Sequence, residues 1–214
     1  DSMDPENDYI KSGQRLMSLE HGLSLLEIKN DREKIAVIGV HGGRSEGYEW
    51  IYPLTKLDQN DRLTLFYRWD DRSCFLASAL KLNQEILSLL EENSTIEKVV
   101  LLGHSYGGIL LTWFIENWKS NTPIEIHTIA SPLAGLDSIS SFCNYVPPKQ
   151  KSKNVKSVQW RTIKTLDNAF KSLSFDPQLI NFKGHEVRNL PDKYKGKRLG
   201  HNWSLSYVAD EIIF

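Results

Sequence analysis

The stretch Lys98-Val-Val-Leu-Leu-Gly-His-Ser-Tyr-Gly-Gly108 joins a short apolar run to a glycine-rich turn, and a helix-like segment follows it. Apolar runs of this kind, rich in β-branched residues, are typical of strands that are buried on both faces of a sheet. The glycines on either side of Ser105 fit a sharp turn from strand to helix, where side chains would leave no room. The sequence therefore predicts that Ser105 lies at the carboxyl end of a buried strand.

Other segments repeat this pattern, and helical periods separate them. The clearest strands are predicted over 34–40, 62–69, 98–103 and 123–130, with helices over 47–57, 75–92 and 108–118. The less regular second half predicts strands over 155–164 and 186–190, a last helix over about 202–213, and a short excursion from the sheet over 131–152. Alternation of this kind indicates an α/β fold, with a mostly parallel central sheet and helices on both faces.

Length and composition indicate one soluble, folded domain. The chain has 214 residues, of which 40% are hydrophobic and 25% charged. Residues 1–15 are interpreted as a tag remnant or flexible N-terminus, and residues 16–214 as a single domain. No run approaches the roughly 20 apolar residues of a membrane span. We expect a cytoplasmic location, or a secreted one if a signal segment preceded this sequence.

Charge and cysteine content exclude several kinds of partner. The net charge of −1 gives no overall field toward nucleic acid, and the lysine-rich runs at 149–156 and 193–198 lie in polar loops. The separation of Cys74 and Cys143 matches no redox or zinc spacing, so free thiols are expected. Neither dinucleotide-binding nor P-loop glycine patterns occur. We expect no metal and no organic cofactor, and the oligomeric state stays open.

A second glycine motif, His41-Gly42-Gly43, follows the predicted strand over 34–40. Together with Gly103 to Gly107, in this order and spacing, it resembles the α/β-hydrolase superfamily, particularly its small lipase- and esterase-like members. The resemblance spans most of the chain and implies an α/β-hydrolase fold, which we expect to be compact because the short chain leaves little room for a large lid. It also implies that Ser105 is a nucleophile and that the N–H groups of Gly43 and Tyr106 form an oxyanion hole.

A serine nucleophile needs a general base, normally a histidine. The resemblance implies that this base lies on a loop before the final helix, which points to His201. His185 is the alternative, although it opens the last predicted strand at the end away from such sites. The other four histidines have simpler structural explanations; they are His21, His41, His104 and His127. His104 in particular is expected to point away from the nucleophile.

The acid of a Ser-His-Asp triad is sought between Ser105 and His201, because the family order places it there. Asp167 is preferred because it closely follows the predicted strand over 155–164, although an aspartate at this position also fits a helix N-cap. Asp137 and Asp176 are the main alternatives, and Asp192 is explained by its turn.

Aromatic residues near these motifs are candidates for the wall of an acyl or alcohol pocket; they are Tyr48, Trp50, Tyr106, Trp160 and Trp203. Trp203, together with Arg44 on the His41-Gly42-Gly43 loop, is the predicted substrate-binding pair. The resulting hypothesis is a serine hydrolase that cleaves a small-molecule ester through an acyl-enzyme. Thioesterase, acyltransferase and non-catalytic small-molecule binding remain alternatives, since fold does not fix chemistry.

Overall fold

A seven-stranded sheet forms the centre of the computed structural model, which describes residues 8–27 and 32–212. Its strands are β1 (Gly22–Leu25), β2 (Ile35–Val40), β3 (Arg62–Arg68), β4 (Lys98–His104), β5 (Ile124–Ile129), β6 (Val155–Arg161) and β7 (His185–Asn189). They are ordered β1-β3-β2-β4-β5-β6-β7. Only the β1–β3 pair is antiparallel among the described strand pairs of this sheet. The predicted mostly parallel sheet is confirmed.

Helices and a small hairpin complete the described fold. The helices are α1 (Tyr9–Met17), α2 (Tyr48–Leu57), α3 (Phe75–Glu92), α4 (Tyr106–Asn117), α5 (Asp137–Cys143) and α6 (Ser204–Glu211), and the hairpin pairs β8 (Lys193–Tyr194) with β9 (Lys197–Arg198). Helix α3 has the predicted bounds, whereas α4 begins two residues before the predicted start at 108. Helix α1 lies partly within the predicted flexible segment 1–15, of which residues 1–7 lie outside the described residues.

Alternating side chains of the central strands form two hydrophobic clusters, one on each face of the sheet. In β4, Val99 and Leu101 pack in the cluster that contains the buried residues of α3 and α4. Val100 and Leu102 pack in the cluster that contains those of α2 and α6. Because helices cover both faces, the strand needs apolar residues at every position, and this explains its unbroken apolar run.

The strand order reverses beside β2, which pairs with β3 on one side and β4 on the other. The chain crosses to β3 through α2 on one face and returns to β4 through α3 on the opposite face, as right-handed crossovers require. In open α/β sheets, ligands bind at the carboxyl ends of the strands where such a reversal occurs. Gly43 and Ser105 follow β2 and β4 at this edge.

The expectation of two free thiols is wrong, because Cys74 and Cys143 form a disulfide with their Cα atoms 5.3 Å apart. Cys74 directly precedes α3, and Cys143 ends α5. Their separation of 69 residues gave no sign of pairing, since only the fold brings α5 against the start of α3. This distance lies within the usual range for paired cysteines.

None of the helices within residues 8–27 and 32–212 combines the length and the apolar character needed to cross a bilayer.

Candidate active site

Ser105 occupies a strained backbone position between β4 and α4. Its φ of 53° and ψ of −118° lie where non-glycine residues are rare. Holding a residue there costs about 1–3 kcal/mol, so surrounding contacts must fix it. The Ser105 N–H donates to the Ile129 carbonyl at 2.9 Å, and the Gly108 N–H donates to the Ser105 carbonyl at 3.0 Å. The predicted strand-to-helix turn is therefore present.

Two glycines allow the loops after β2 and β4 to touch. A Cβ atom on Gly42 would lie 2.9 Å from the Cβ of Ser105, and one on Gly107 would collide with the Val40 carbonyl oxygen. A separation of 2.9 Å is far shorter than an ordinary carbon–carbon contact, and the atoms at Gly107 would overlap even more closely. The glycines of the two sequence motifs thus serve one purpose, which is to bring the Gly43 loop (residues 41–45) beside Ser105.

His41 fixes the start of the Gly43 loop through both ring nitrogens. The Trp69 N–H donates to His41 Nε2 at 3.1 Å, so Nδ1 carries the proton and donates to the Gly42 carbonyl at 2.9 Å. Burial lowers the pKa of His41, which favours this neutral form. The residue is fully buried and its hydrogen bonds stabilise the loop, in line with its expected structural role.

Asp71, which the sequence reasoning missed, holds the other side of the loop. Its Oδ2 accepts a hydrogen bond from the Arg44 N–H, and Arg44 has a left-handed φ of 57°. A Cβ on Gly43 would lie 3.9 Å both from Asp71 Oδ2 and from Tyr106 Cβ. Gly43 and Tyr106 are therefore neighbours, and within the described ranges neither backbone N–H donates a hydrogen bond. The only sequence sign of Asp71 is its position just after β3.

Asp167 and His201 meet at the same edge of the sheet. His201 Nδ1 lies 2.9 Å from Asp167 Oδ2, and the aspartate side chain has no exposed surface. Thr162 Oγ1 donates to the same carboxylate oxygen at 2.5 Å, and the Ala169 N–H donates to Oδ1 at 2.9 Å. These bonds fix the carboxylate and leave Nδ1 of the histidine as its hydrogen-bond donor.

The alternative residues lie elsewhere. Asp137 is exposed at the start of α5, and Asp176 Oδ1 accepts a hydrogen bond from the Gln178 N–H at 3.0 Å. His185 contacts Ser157 Oγ and Gln159 Oε1, both at 3.1 Å. Burial, assisted by the positive charge of Arg161, lowers the pKa of His185 to about 4. In the described part of the chain, none of these three residues has a hydrogen bond or ion pair with Asp167 or His201.

Two rings flank the His201 imidazole. The Phe170 ring lies perpendicular to it at 5.2 Å between centroids, and the His104 ring lies at 4.6 Å. His104 Nε2 donates to the His201 carbonyl at 3.2 Å. Burial, reinforced by the His201 charge, holds the pKa of His104 well below its usual range. His104, expected to point away from the nucleophile, therefore supports the neighbouring loop as a neutral hydrogen-bond donor.

Ser105 Oγ forms no hydrogen bond with the His201 ring in the portion of the chain that is described. Both side chains are partly exposed at the carboxyl edge of the sheet. Hydrogen bonds between catalytic groups are often long without substrate and shorten only in the complex. The structure thus pairs Asp167 with His201 and Gly43 with Tyr106, while Ser105 is held separately by its own backbone.

The predicted pocket residues separate into three groups. Tyr48 and Trp203 line a cavity of about 410 Å³. Trp50 and Trp160 are buried in the core. The Tyr106 ring packs 5.0 Å from Trp69, and its hydroxyl donates to the Ser73 carbonyl at 3.1 Å. Arg44, also predicted to bind substrate, is exposed on the Gly43 loop.

Among the described residues, no group of three metal-ligating side chains is present.

Comparisons with known proteins agree with this architecture at the level of fold. No protein-family model and no curated protein sequence matches the chain. Among solved structures, the chain is similar to Est1E from Butyrivibrio proteoclasticus, with a TM-score of 0.55 and 13% identity over 88% of this chain and 89% of that one.

Two further structures extend the likeness. Esterase Est2 from Thermogutta terrifontis has a TM-score of 0.55 and 12% identity, over 88% of this chain and 87% of that one. XC6422 from Xanthomonas campestris, an α/β serine hydrolase without a lid, has a TM-score of 0.54 and 13% identity, over 88% and 83%. Identity this low informs on architecture alone. The chain therefore has the α/β-hydrolase fold of these esterases and serine hydrolases.

Proposed function

We propose that this chain is a serine hydrolase that cleaves a carboxylic ester, with Ser105 as nucleophile, His201 as general base and Asp167 as the acid. The observation that carries the proposal is the 2.9 Å hydrogen bond between Asp167 Oδ2 and His201 Nδ1. A buried carboxylate on Nδ1 selects the tautomer whose Nε2 has a free lone pair. Such a nitrogen is the proton acceptor that a serine hydroxyl needs.

The reaction begins when His201 Nε2 takes the proton from Ser105 Oγ, which attacks the ester carbonyl carbon. The N–H groups of Gly43 and Tyr106 stabilise the oxyanion that forms. His201 then gives its proton to the departing alcohol, leaving an acyl group on Ser105. A water molecule, deprotonated by the same nitrogen, attacks this acyl-enzyme. His201 then returns the proton to Ser105 Oγ as the carboxylic acid departs.

The surroundings of His201 suit the positive charge that it carries midway through each step. Asp167 supplies the opposite charge at Nδ1, and its own position is fixed by Thr162 and Ala169. His104, whose ring lies 4.6 Å away, stays neutral because burial keeps its pKa well below the usual range. A second positive ring would oppose protonation of His201. The neutral ring of His104 avoids that cost.

The ester bond is chosen from the fold's structural neighbours. Est1E and Est2 have been solved with ferulic acid and with propionate, respectively. Both ligands are carboxylic acids, the class of product that ester hydrolysis releases. In support of a site without a large lid, the described segment between β5 and β6 contains a single helix, α5, of seven residues. We therefore favour a small-molecule ester over a bulk lipid interface.

We also infer that the protein works in an oxidising compartment, because disulfides rarely persist in the cytosol. The Cys74–Cys143 bond thus favours the secreted alternative over the cytoplasmic location expected from sequence.

The test is hydrolysis of p-nitrophenyl esters from acetate upward, together with labelling by a fluorophosphonate probe. Turnover and labelling should be lost in Ser105→Ala and kept in Ser172→Ala, an exposed serine that serves as the matched control. Labelling without turnover would mean that Ser105 is activated for another acyl substrate. Neither signal from the wild-type protein would refute the proposal and support non-catalytic binding.

A further inference from the structure

A cavity of about 410 Å³ lies next to the loop that carries His201. Five aromatic side chains from separate parts of the sequence line it; they are Tyr9, Tyr48, Tyr52, Tyr194 and Trp203. Small-molecule sites in proteins have volumes of about 300–1,000 Å³ and combine aromatic walls with a few polar groups. The cavity has the size and composition of such a site.

One wall of the cavity is formed by residues that lie next to His201 in sequence. Asn202, which directly follows His201, donates from Nδ2 to Tyr48 Oη at 3.1 Å. Tyr48 begins α2, the helix that directly follows the Gly43 loop. In ester cleavage the base protonates the departing oxygen, so the alcohol part of a substrate lies on the histidine side of the carbonyl. The lining includes the two residues that follow His201, the group that would protonate the alcohol.

A network around Asp210 holds three of the lining side chains, those of Tyr52, Tyr194 and Lys195. Tyr52 and Tyr194 donate to its two carboxylate oxygens, at 2.6 and 2.5 Å. Lys195 Nζ lies 3.4 Å from the same carboxylate and 4.7 Å from the centre of the Tyr52 ring. Lys56 Nζ lies 3.9 Å from the other oxygen of this carboxylate, so two ammonium groups share it.

The remaining charged residue of the lining, Glu49, is 7% exposed. Burial raises the pKa of this carboxyl and so favours its neutral form, while Ser45 Oγ donates to Oε1. The lining therefore carries one buried carboxyl group and one ammonium group beside its aromatic side chains.

The shape of the lining side chains distinguishes a ring from an alkyl chain. Among the described residues that line the cavity there is no leucine, isoleucine, valine or methionine. The Trp203 and Tyr194 rings already meet edge to face, at 5.4 Å and 72°. Tyr9 and Tyr48 remain 43% and 39% exposed. Flat, rigid faces of this kind bind another flat ring at low entropic cost, with polar groups beside them for hydroxyls.

We propose that this cavity binds the alcohol part of the substrate, as a ring that carries hydroxyl groups. This inference rests on the proposed ester hydrolysis. Phenolic rings and sugar rings share the required chemistry, with apolar faces and hydroxyl edges. The substrate class is then an acylated phenol or an acylated sugar.

The experiment measures binding by saturation-transfer difference NMR, with three alcohols as probes: resorcinol, methyl β-D-glucopyranoside and 1-hexanol. At least one ring probe should bind saturably, and hexanol should not. Trp203→Ala should weaken ring binding by about tenfold or more, as loss of an aromatic anchor does. Trp203→Phe should restore most of it. Saturation by resorcinol identifies a phenolic ring, and saturation by the glucoside a sugar ring.

Two further variants complete the test. Phe142→Ala removes an aromatic side chain that is 80% exposed on α5, away from the cavity, and should leave the Kd unchanged. Tyr9→Ala removes an exposed cavity wall on α1 and should weaken ring binding, even if Trp203→Ala fails to fold. Hexanol binding as tightly as the rings would overturn the inference, as would no saturation by either ring or an unchanged Kd in Trp203→Ala and Tyr9→Ala.

The binding assay is separable from catalysis, because Ser105 does not line the cavity. Ring binding should persist in Ser105→Ala, which cannot turn over an ester by the proposed mechanism. Ester hydrolysis without ring binding would refute the cavity assignment alone. Ring binding without hydrolysis of any ester would refute the proposed function and leave the ring site in place.

Discussion

His201 Nδ1 lies 2.9 Å from Asp167 Oδ2, although the two residues are 34 positions apart and belong to loops after different strands. The bond determines which ring nitrogen carries the proton. In Asp167→Asn, the amide nitrogen can donate to the histidine and favour the opposite tautomer, so that Nε2 no longer accepts a proton. We expect kcat for p-nitrophenyl acetate to fall by about 10³–10⁴-fold, with a small change in KM.

Asp137→Asn and Asp176→Asn are the controls for this substitution, because both carboxylates lie between Ser105 and His201 in sequence without contacting the histidine. Each should keep near-normal activity. If either abolished hydrolysis while Asp167→Asn retained it, the assignment of the acid would have to change.

Asp71 offers a second test, since it accepts the Arg44 N–H and lies beside Gly43. Asp71→Ala removes the acceptor that holds Arg44 in its left-handed conformation, so the Gly43 N–H loses its fixed direction. We expect kcat to fall by about 10- to 100-fold, because misplacing an oxyanion donor costs transition-state stabilisation.

Asp71→Asn retains an acceptor oxygen and removes a negative charge near the developing oxyanion. Its kcat should equal or exceed that of the wild-type protein, with unchanged fluorophosphonate labelling. Equal losses in the alanine and asparagine variants would show that charge, rather than loop position, is the property that matters. Steady-state kinetics and the rate of labelling measure these effects independently.

The sheet was predictable because β2 and the interior of β4 are apolar at every position and the helices have clear periods. Residues 98–108 alone defined a strand, a turn and a helix. Strand β1 is less visible, because it has four residues and lies at the antiparallel edge of the sheet. The two-residue strands of the β8–β9 hairpin are too short for a pattern of alternation to develop.

The candidate site was predictable where chain order and a local motif coincide, as at Ser105 and Gly43. The choice of Asp167 depended on its position after a predicted strand, and the structure adds Thr162 and Ala169 as its partners. Contacts between distant segments have no such local sign. The disulfide is the clearest case, because it joins positions 69 residues apart.

His104 makes the stability of the protein depend on pH. Burial and the adjacent His201 hold its pKa well below the usual range, whereas in the unfolded chain it returns to about 6.5. Between these values the unfolded state binds more protons, so the free energy of unfolding rises with pH. The neutral ring's contribution is therefore complete above about pH 6.5 and is lost as the pH falls below that value.

Urea unfolding of wild type and His104→Gln at pH 7.5 and pH 5.0 measures this contribution. Glutamine keeps an N–H donor for the His201 carbonyl and does not titrate. We expect the loss of stability between the two pH values to be smaller in the variant. Part of the loss should remain, because burial also lowers the pKa values of His41 and His185. An identical pH dependence in both proteins would show that His104 does not contribute.

The disulfide connects the beginning of α3 to the end of α5, close to Tyr106, which follows Ser105. Tyr106 Oη lies 3.8 Å from Cys143 Sγ and donates to the Ser73 carbonyl, next to Cys74. Replacing both cysteines by serine should lower the free energy of unfolding by about 2–4 kcal/mol, because the unfolded chain regains the freedom of a long loop. Urea unfolding under non-reducing conditions measures this loss.

The same variant should label more slowly with fluorophosphonate than Ser172→Ala, since Tyr106 loses part of the packing that positions its backbone N–H. Thiol titration of the denatured, unreduced wild-type protein should detect no free cysteine. Two reactive thiols in protein secreted through an oxidising compartment would contradict the pairing. Normal labelling by a destabilised double mutant would instead confine the disulfide to a structural role, because the oxyanion donor would then be positioned without it.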